Sequence, residues 1–497
     1  MRFRDPGYTP AFRELDALLE LVGQGEEAAE RAILRIDAKH QYAVVEAVVA
    51  RARAAQRPAR AHYTHLAGRM MSSFKAREWL IEALADADMK TRRTAARALS
   101  KIEPTWDVRE ALIAAWDRGN DDDRRAIAEA LGRQGGAEAR KRLGTSLDKK
   151  AVRASLILDR DESRKARDRI DLEADPGHPV RVRWHCRRGM EAILEDELLR
   201  QFQPEIREPG GVDGVLVGTL SRALEFRTAT HVSFPLGMAG PEIVDTLLTD
   251  HALEIFRAFT KGRPIRFRLA WDDGKHHRAE VWDVADVVRK HTKELVNDPH
   301  DSTWEVRIDD EGALDLVPKG FEDPRFLYRR ETVPASSHPT IAAAIARLAP
   351  RTKDDVIWDP FVGAGAELVE RAILGRYARM IGTDSDPKAL RAARRNLAGT
   401  DISNVTIEEG DALTYRPEGV NVILTNPPMG RRVQRGTHKD LLSEFAKVAV
   451  EILPPGGTLV WVVPDQITIP PRLRLEKKFT IDMGGFPADL AVYQKRR

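Results

Sequence analysis

Cysteine is almost missing: Cys186 is the one cysteine in 497 residues. A lone thiol excludes an internal disulfide and a zinc site built from cysteines, and it suits a reducing compartment, so a cytoplasmic location is expected. Cys186 itself reads as a small core residue, not a nucleophile. Long apolar runs are missing as well, which excludes a membrane-spanning helix. The N-terminal Met-Arg-Phe-Arg-Asp-Pro lacks the apolar stretch of a signal peptide. Excess charge is small: 80 Lys and Arg stand against 77 Asp and Glu, a net +3. Any nucleic-acid contact must therefore come from local clusters. What the chain does have is 42% hydrophobic residues, enough for real cores, and a length that suits about three domains of ~150 residues.

The chemistry concentrates near the C-terminus. Val356-Ile-Trp-Asp359 is a short apolar run of strand type, and it passes through a loop with Gly363 and Gly365 into the helix-forming run from Ala366 to Leu374. Glycine lets a ligand approach without a Cβ in the way, and a helix start offers unpaired N–H groups. The next apolar run, Arg379 to Asp384, ends in a carboxylate nineteen residues after Gly365. That is close to the ~20 residues at which an acid accepts hydrogen bonds from ribose hydroxyls. Asp386-Pro387 reads as the cap and first residue of a helix from Pro387 to Leu397. A third strand, Val405 to Glu408, leads to Asp411, which stands where open α/β sheets bind ligands or else closes an Asx turn.

To this point the cofactor could be NAD or S-adenosylmethionine. The run Val420 to Thr425 followed by Asn426-Pro427-Pro428 separates them. Two prolines fix the backbone, so the Asn426 side chain and the Pro427 carbonyl are held rigidly as two acceptors. An exocyclic amine is a poor nucleophile because its lone pair is delocalised. Two acceptors on its hydrogens pull the nitrogen toward sp³ and point the lone pair at a sulfonium methyl.

Asp-Pro-Phe-x-Gly-x-Gly, Gly-x-Asp-x-Asp-Pro, Gly-Asp-Ala and Asn-Pro-Pro together resemble the S-adenosylmethionine-dependent RNA guanine-N2 methyltransferases that carry THUMP-type RNA-binding modules. The resemblance runs from about Val180 to Arg497. Cys186 to Leu199 is similar to the first helix of the family's substrate half, where Gly-Leu-Glu is usual and Gly189-Met190-Glu191 stands here. Pro334 to Pro339, with His338, is similar to the segment that packs over the methionine end of the cofactor. The resemblance implies that Asp359, Phe361, Gly363, Gly365, Asp384, Ser385, Asp411, Ala412, His338 and Asn426 hold the cofactor, and that Asn426, Pro427, Pro428 and Met429 hold the target base. It departs at Val362-Gly-Ala-Gly-Ala366, which loses a small hydroxyl, and at Met429, where the family has an aromatic. A thioether is polarizable and can cover a ring face. The implied reaction is methylation of guanosine N2, in tRNA first and rRNA second. Adenine N6 in DNA, a protein glutamine amide, or a cofactor-binding scaffold acting through the N-terminal repeats are the alternatives.

The rest of this region predicts a helix from His438 to Leu453, a strand from Thr458 to Val463, and an antiparallel hairpin of Phe479 to Met483 with Asp489 to Tyr493. Candidate phosphate contacts are Arg266 with Arg268, Arg329 with Arg330, Lys388 to Arg395, and Arg431 with Arg432. Each could equally be a solvated surface.

Upstream, Leu84, Arg92, Ala95 and Leu99 recur thirty-two residues later as Trp116, Arg124, Ile127 and Leu131. The period belongs to paired-helix repeats. Asp86-Ala-Asp88 and Asn120 to Asp123 mark the turns and can cap the second helices. This resembles HEAT repeats, with fainter copies at Val44 to Met70 and Ala137 to Leu158. Such a stack offers a surface for a protein or RNA partner, or only props the catalytic half. The charged run Asp159 to Asp175 reads as a linker. The expected architecture is a HEAT-like α-solenoid over 1–165, an α+β THUMP, ferredoxin-like region over 178–330, and a Rossmann-like α/β methyltransferase domain over 331–497 that ends in an antiparallel hairpin. No metal is expected, and the oligomeric state is open.

Overall fold

The computed structural model describes residues 2–146, 148–207, 209–238, 240, 242–334, 336–428, 437–464 and 467–497. The chain forms two compact units, Met1–Arg167 with His277–Asp301, and Asp168–His276 with Ser302–Arg497. Among the described residues no helix is long and apolar enough to cross a membrane.

The first unit is built of paired helices, Gln41–Ala54 with Ala59–Gly68, Phe74–Ala83 with Met89–Leu99, Trp106–Arg118 with Asp121–Gln134, and Ala137–Gly144 with Lys149–Ser163. A further pair, Leu15–Gly23 and Glu27–Ile33, precedes them. The turn residues cap as their chemistry predicts: Asp88 accepts from the Thr91 N–H and Asn120 from the Asp123 N–H, at 3.1 and 3.0 Å. Arginine links successive repeats, Arg60 to Asp86 at 2.8 Å and Arg92 to Asp123 at 2.7 Å. The expected linker is shorter than its charge suggested, because helix Lys149–Ser163 runs into it. The segment His277–Asp301, expected in the middle region, groups with this unit instead. Its helix Arg278–His291 places Trp282 under the guanidinium groups of Arg153 and Arg160, at 5.7 and 5.8 Å. Beyond it, Arg164 grips the Asp298 carboxylate with two bonds of 2.7 and 2.8 Å.

In the second unit, strands follow the order Glu205–Arg207, Gly211–Leu216, Val180–His185, His231–Met238, Ala313–Pro318, Trp304–Ile308 and Ile265–Trp271. Neighbours are antiparallel except the last pair, which is parallel. Phe234, Phe256, Phe259 and Trp304 pack as an aromatic core. Of the candidate phosphate contacts, Arg266 is buried on Asp168, and Arg268 pairs with Glu305. Internal carboxylates on neighbouring segments, invisible in the local sequence, have taken up those charges.

Gly189 and Glu191 shape the turn that precedes helix Glu191–Leu198. Gly189 adopts φ +86°, and a Cβ there would lie 1.9 Å from the Thr480 carbonyl oxygen. The Glu191 carboxylate accepts from the Gly189 and Gly210 N–H groups, both at 2.8 Å. Cys186 is buried beside this turn as a core residue, and burial pushes its thiol up to about 12.

The C-terminal sheet comprises β1 (Val356–Asp359), β2 (Arg379–Asp384), β3 (Val405–Glu409), β4 (Val422–Thr425), β5 (Thr458–Val463), β6 (Leu473–Asp482) and β7 (Pro487–Lys495). Their order is β3-β2-β1-β4-β5-β7-β6, parallel through β5 and antiparallel for the final hairpin. Helices Ala366–Ile373, Pro387–Leu397 and Thr437–Ile452 make the crossovers. Strands β4 and β5 are buried throughout, as continuous apolar runs in a covered parallel sheet must be. The hairpin is longer than the sequence suggested. Its start, Arg474 to Lys478, is charged and exposed, as edge strands often are.

Candidate functional site

Strand order reverses between β1 and β4, and ligands of open α/β sheets bind at the carboxyl ends beside such a reversal. Asp359 ends β1 and is fully buried. Its Oδ1 accepts from the Phe361 N–H at 3.1 Å and the Thr425 hydroxyl at 2.6 Å. Its Oδ2 has no partner among the described residues. Burial, and then the neighbouring Glu367, hold this carboxyl well above its usual range.

The glycine loop closes against β2. Gly363, at φ +51°, donates its N–H to Asp384 Oδ2 at 3.0 Å, while Asp384 Oδ1 accepts from the Asp386 N–H at 2.9 Å. One bond per oxygen leaves lone pairs on Asp384 for further donors. Asp386 caps helix Pro387–Leu397 through the Lys388 N–H, as expected. Gly365 caps the preceding helix at φ +83°, where a Cβ would lie 3.4 Å from Ala393. Asp411 does both things the sequence allowed: Oδ1 closes a turn onto the Leu413 N–H at 2.7 Å, and the residue lines the cavity.

That cavity has a volume of 380 Å³. Of the expected residues it brings together Phe361, Gly363, Asp384, Ser385, Asp411, Ala412, Asn426 and Pro428. Asp359, Gly365 and Pro427 are not on its wall. Nor is His338, whose Nδ1 instead accepts from the Thr340 N–H to cap helix Pro339–Leu348. Burial pushes the His338 imidazole down to about 4, so the ring stays neutral in that role. Met429, Arg431 and Arg432 lie outside the described residues. Arg329 lines the cavity, whereas Arg394 and Arg395 bond to the Ile407 carbonyl and to Glu331.

The cavity wall also carries Ser337, inside the segment expected over the cofactor, and Glu367, which sequence reasoning missed. Asn426 Nδ2 donates to Ser337 Oγ at 2.8 Å, and the Ser337 hydroxyl donates to Glu367 Oε1. With the Glu367 carboxylate ionised, the Ser337 hydroxyl gives it its proton and accepts from its other neighbour, so the amide nitrogen of Asn426 faces Ser337. Asn426 Oδ1 is then left buried, with no partner among the described residues. Burial raises the Glu367 carboxyl to about 7. The only signal for Glu367 was an acid in the first turn of a helix, which reads as a solvated residue favouring the dipole.

The wall carries Asp384, Asp386, Asp411 and Glu367 against Arg329, and its floor is the glycine loop under a βα crossover. Residues 327–481 match the model described as the RMKL-like methyltransferase domain. Residues 45–132 and 77–158 match HEAT repeats.

The chain is also similar to curated relatives. It is 29% identical over 151 residues to the tRNA (guanine(10)-N2)-dimethyltransferase of Methanothermobacter thermautotrophicus, covering 30% of this chain and 44% of that protein. It is 31% identical over 166 residues to the tRNA (guanine(6)-N2)-methyltransferase of Thermus thermophilus, covering 32% and 49%. The chain thus spans less than half the length of either relative. Among solved structures, TrmN from Thermus thermophilus shares the fold over 64% of this chain and 100% of its own, with 22% identity and a TM-score of 0.52.

Proposed function

We propose that this protein transfers a methyl group from S-adenosylmethionine to the exocyclic N2 amine of a guanosine in RNA, tRNA before rRNA. The observation that carries this reading is the buried, unpartnered Oδ1 of Asn426 on the wall of an acid-lined cavity. An orphaned acceptor is costly unless a ligand donor completes it. The names of the two curated relatives support guanine N2 as the amine and tRNA as its carrier.

The residues present fit the cofactor: Asp384 keeps lone pairs for ribose hydroxyls, Phe361 and Ala412 offer apolar wall to a base, and acids surround a position suited to a cation. When bound, S-adenosylmethionine supplies an electrophilic methyl carbon. Asn426 Oδ1 accepts an amine hydrogen, which helps free the nitrogen lone pair and stabilises the positive charge that develops on it. The Ser337–Glu367 relay keeps Oδ1, and not Nδ2, toward the amine. The middle sheet with its helices serves as a THUMP-type module that holds the RNA, a reading that rests on the motif resemblance beginning at about Val180.

Incubation with methyl-tritiated S-adenosylmethionine and total RNA, and separately with DNA and protein, followed by nucleoside mass spectrometry, tests this. Label recovered as N2-methylguanosine is the expected result. Label in adenine N6 or in a glutamine amide would move the same clamp to another substrate, and no label in any of the three would remove the activity.

A further inference from the structure

Three helices of the helical unit open on an exposed aromatic ring. Tyr42 is the second residue of Gln41–Ala54, Phe74 the first of Phe74–Ala83, and Trp106 the first of Trp106–Arg118. They are 65%, 67% and 74% exposed and recur every thirty-two residues. Glu46, Glu78 and Glu110 follow four residues later at the same period, all exposed. Residues at i and i+4 are neighbours on a helix surface, so each step of the stack presents a ring beside a carboxylate. The core of these helices comes from other positions, among them Val45, Trp79 and Leu112, so packing does not require the rings. Large apolar side chains left in water in three consecutive repeats mark a contact surface.

The first step shows what such a pair holds. The Lys75 ammonium sits 5.2 Å from the centre of the Tyr42 ring and is paired with Glu46. At the second step Arg77 lies 5.6 Å from the Phe74 ring centre. At the third step both internal sources of a cation are gone. The residue corresponding to Lys75, thirty-three after the ring, is the buried Ala139. Arg109, which corresponds to Arg77, gives its guanidinium to the Gln134 carbonyl at 3.0 and 3.2 Å. Among the described residues, Trp106 and Glu110 are a copy of the Tyr42–Glu46 arrangement without its cation.

We propose that this edge of the HEAT-like stack docks a basic protein segment, with an Arg or Lys side chain of the partner seated on Trp106 and paired with Glu110. A ring face and a carboxylate together favour a cation more than either alone. Glu78 and Glu110, exposed and outside any ion pair among the described residues, repel the phosphates of a nucleic acid. The proposal does not depend on the reaction assigned to the C-terminal domain.

Fluorescence anisotropy on the full chain tests it, with a fluorescein-labelled twelve-residue peptide of alternating Arg and Gly as the probe. Trp106→Ser and Glu110→Gln should each weaken binding by at least about tenfold, the effect of losing one well-placed contact, with thermal melts unchanged. Leu199→Ser, at an exposed apolar position of the other unit, should bind as the parent does. Parent-like peptide affinity in both Trp106→Ser and Glu110→Gln would overturn the proposal. So would a labelled twelve-nucleotide single-stranded RNA that binds the parent and loses binding in Trp106→Ser.

Discussion

The side-chain nitrogen of Asn426 lies 2.8 Å from the hydroxyl oxygen of Ser337, eighty-nine positions earlier in the chain. When Glu367 is ionised the same hydroxyl gives it its proton, which turns the amide nitrogen toward Ser337 and leaves the oxygen as the face for a substrate.

Asn426→Ala should lower kcat by about 10²- to 10³-fold, the usual loss on removing one preorganised group that acts in the transition state. The dissociation constant for S-adenosylhomocysteine should change by less than about threefold, since the residue acts on the amine. Calorimetric titration beside single-turnover kinetics separates the two, and an equal loss in both would assign Asn426 to cofactor binding.

Ser337→Ala lets the Asn426 amide turn over, so kcat should fall by about tenfold or more while KM for RNA moves little. Ser337→Thr keeps the hydroxyl and should restore most of the rate. If Ser337→Thr is as slow as Ser337→Ala, the hydroxyl is not what positions Asn426.

Glu367 titrates at about 7 in the fold against an ordinary value of 4.5. A raised carboxyl means the folded state binds more protons than the unfolded state between those values. Stability from this group therefore falls as pH rises from about 4.5 to about 7 and is fully lost above that. Glu367→Gln removes the dependence, so its melting temperature relative to the parent should be higher at pH 8 than at pH 5. A difference that does not change with pH would contradict the assignment.

Arg227 meets Glu370 with bonds of 2.5 and 3.0 Å, and Tyr328 adds a third at 2.7 Å. Arg227→Met leaves a buried carboxylate without its cation and should cost about 3–5 kcal/mol in denaturant unfolding. Arg227→Met with Glu370→Leu should recover most of that loss, which a simple packing defect at 227 would not allow.

Asp384→Ala removes the acceptor for the Gly363 N–H and for the proposed ribose contact. Affinity for S-adenosylhomocysteine should drop by about tenfold or more. A drop in RNA turnover with unchanged cofactor affinity would place the ribose elsewhere.

Much of the C-terminal half was legible in the residues. Strand β1, helix Pro387–Leu397 and strand β5 fall where their apolar runs, cap and proline placed them. The thirty-two-residue recurrence gave the helical pairs and their caps. Eight of the expected site residues meet at one cavity, because β-strand ends and the glycine loop fix their positions locally. The charged half of β6 was missed because an edge strand needs no apolar face toward solvent.

Local sequence determined the elements, the order of acids along the strand ends and the rigid Asn-Pro-Pro turn, because these depend on φ/ψ preference and on apolar periodicity within a few residues. Tertiary structure alone decided which charges are spent and which are available. Arg266 is neutralised by Asp168, Glu367 is buried against Ser337, and the segment around Trp282 joins the helical unit. Each of these outcomes depends on a partner that is distant in sequence or on burial, and pairing and desolvation across such separations leave no trace in the residues on either side.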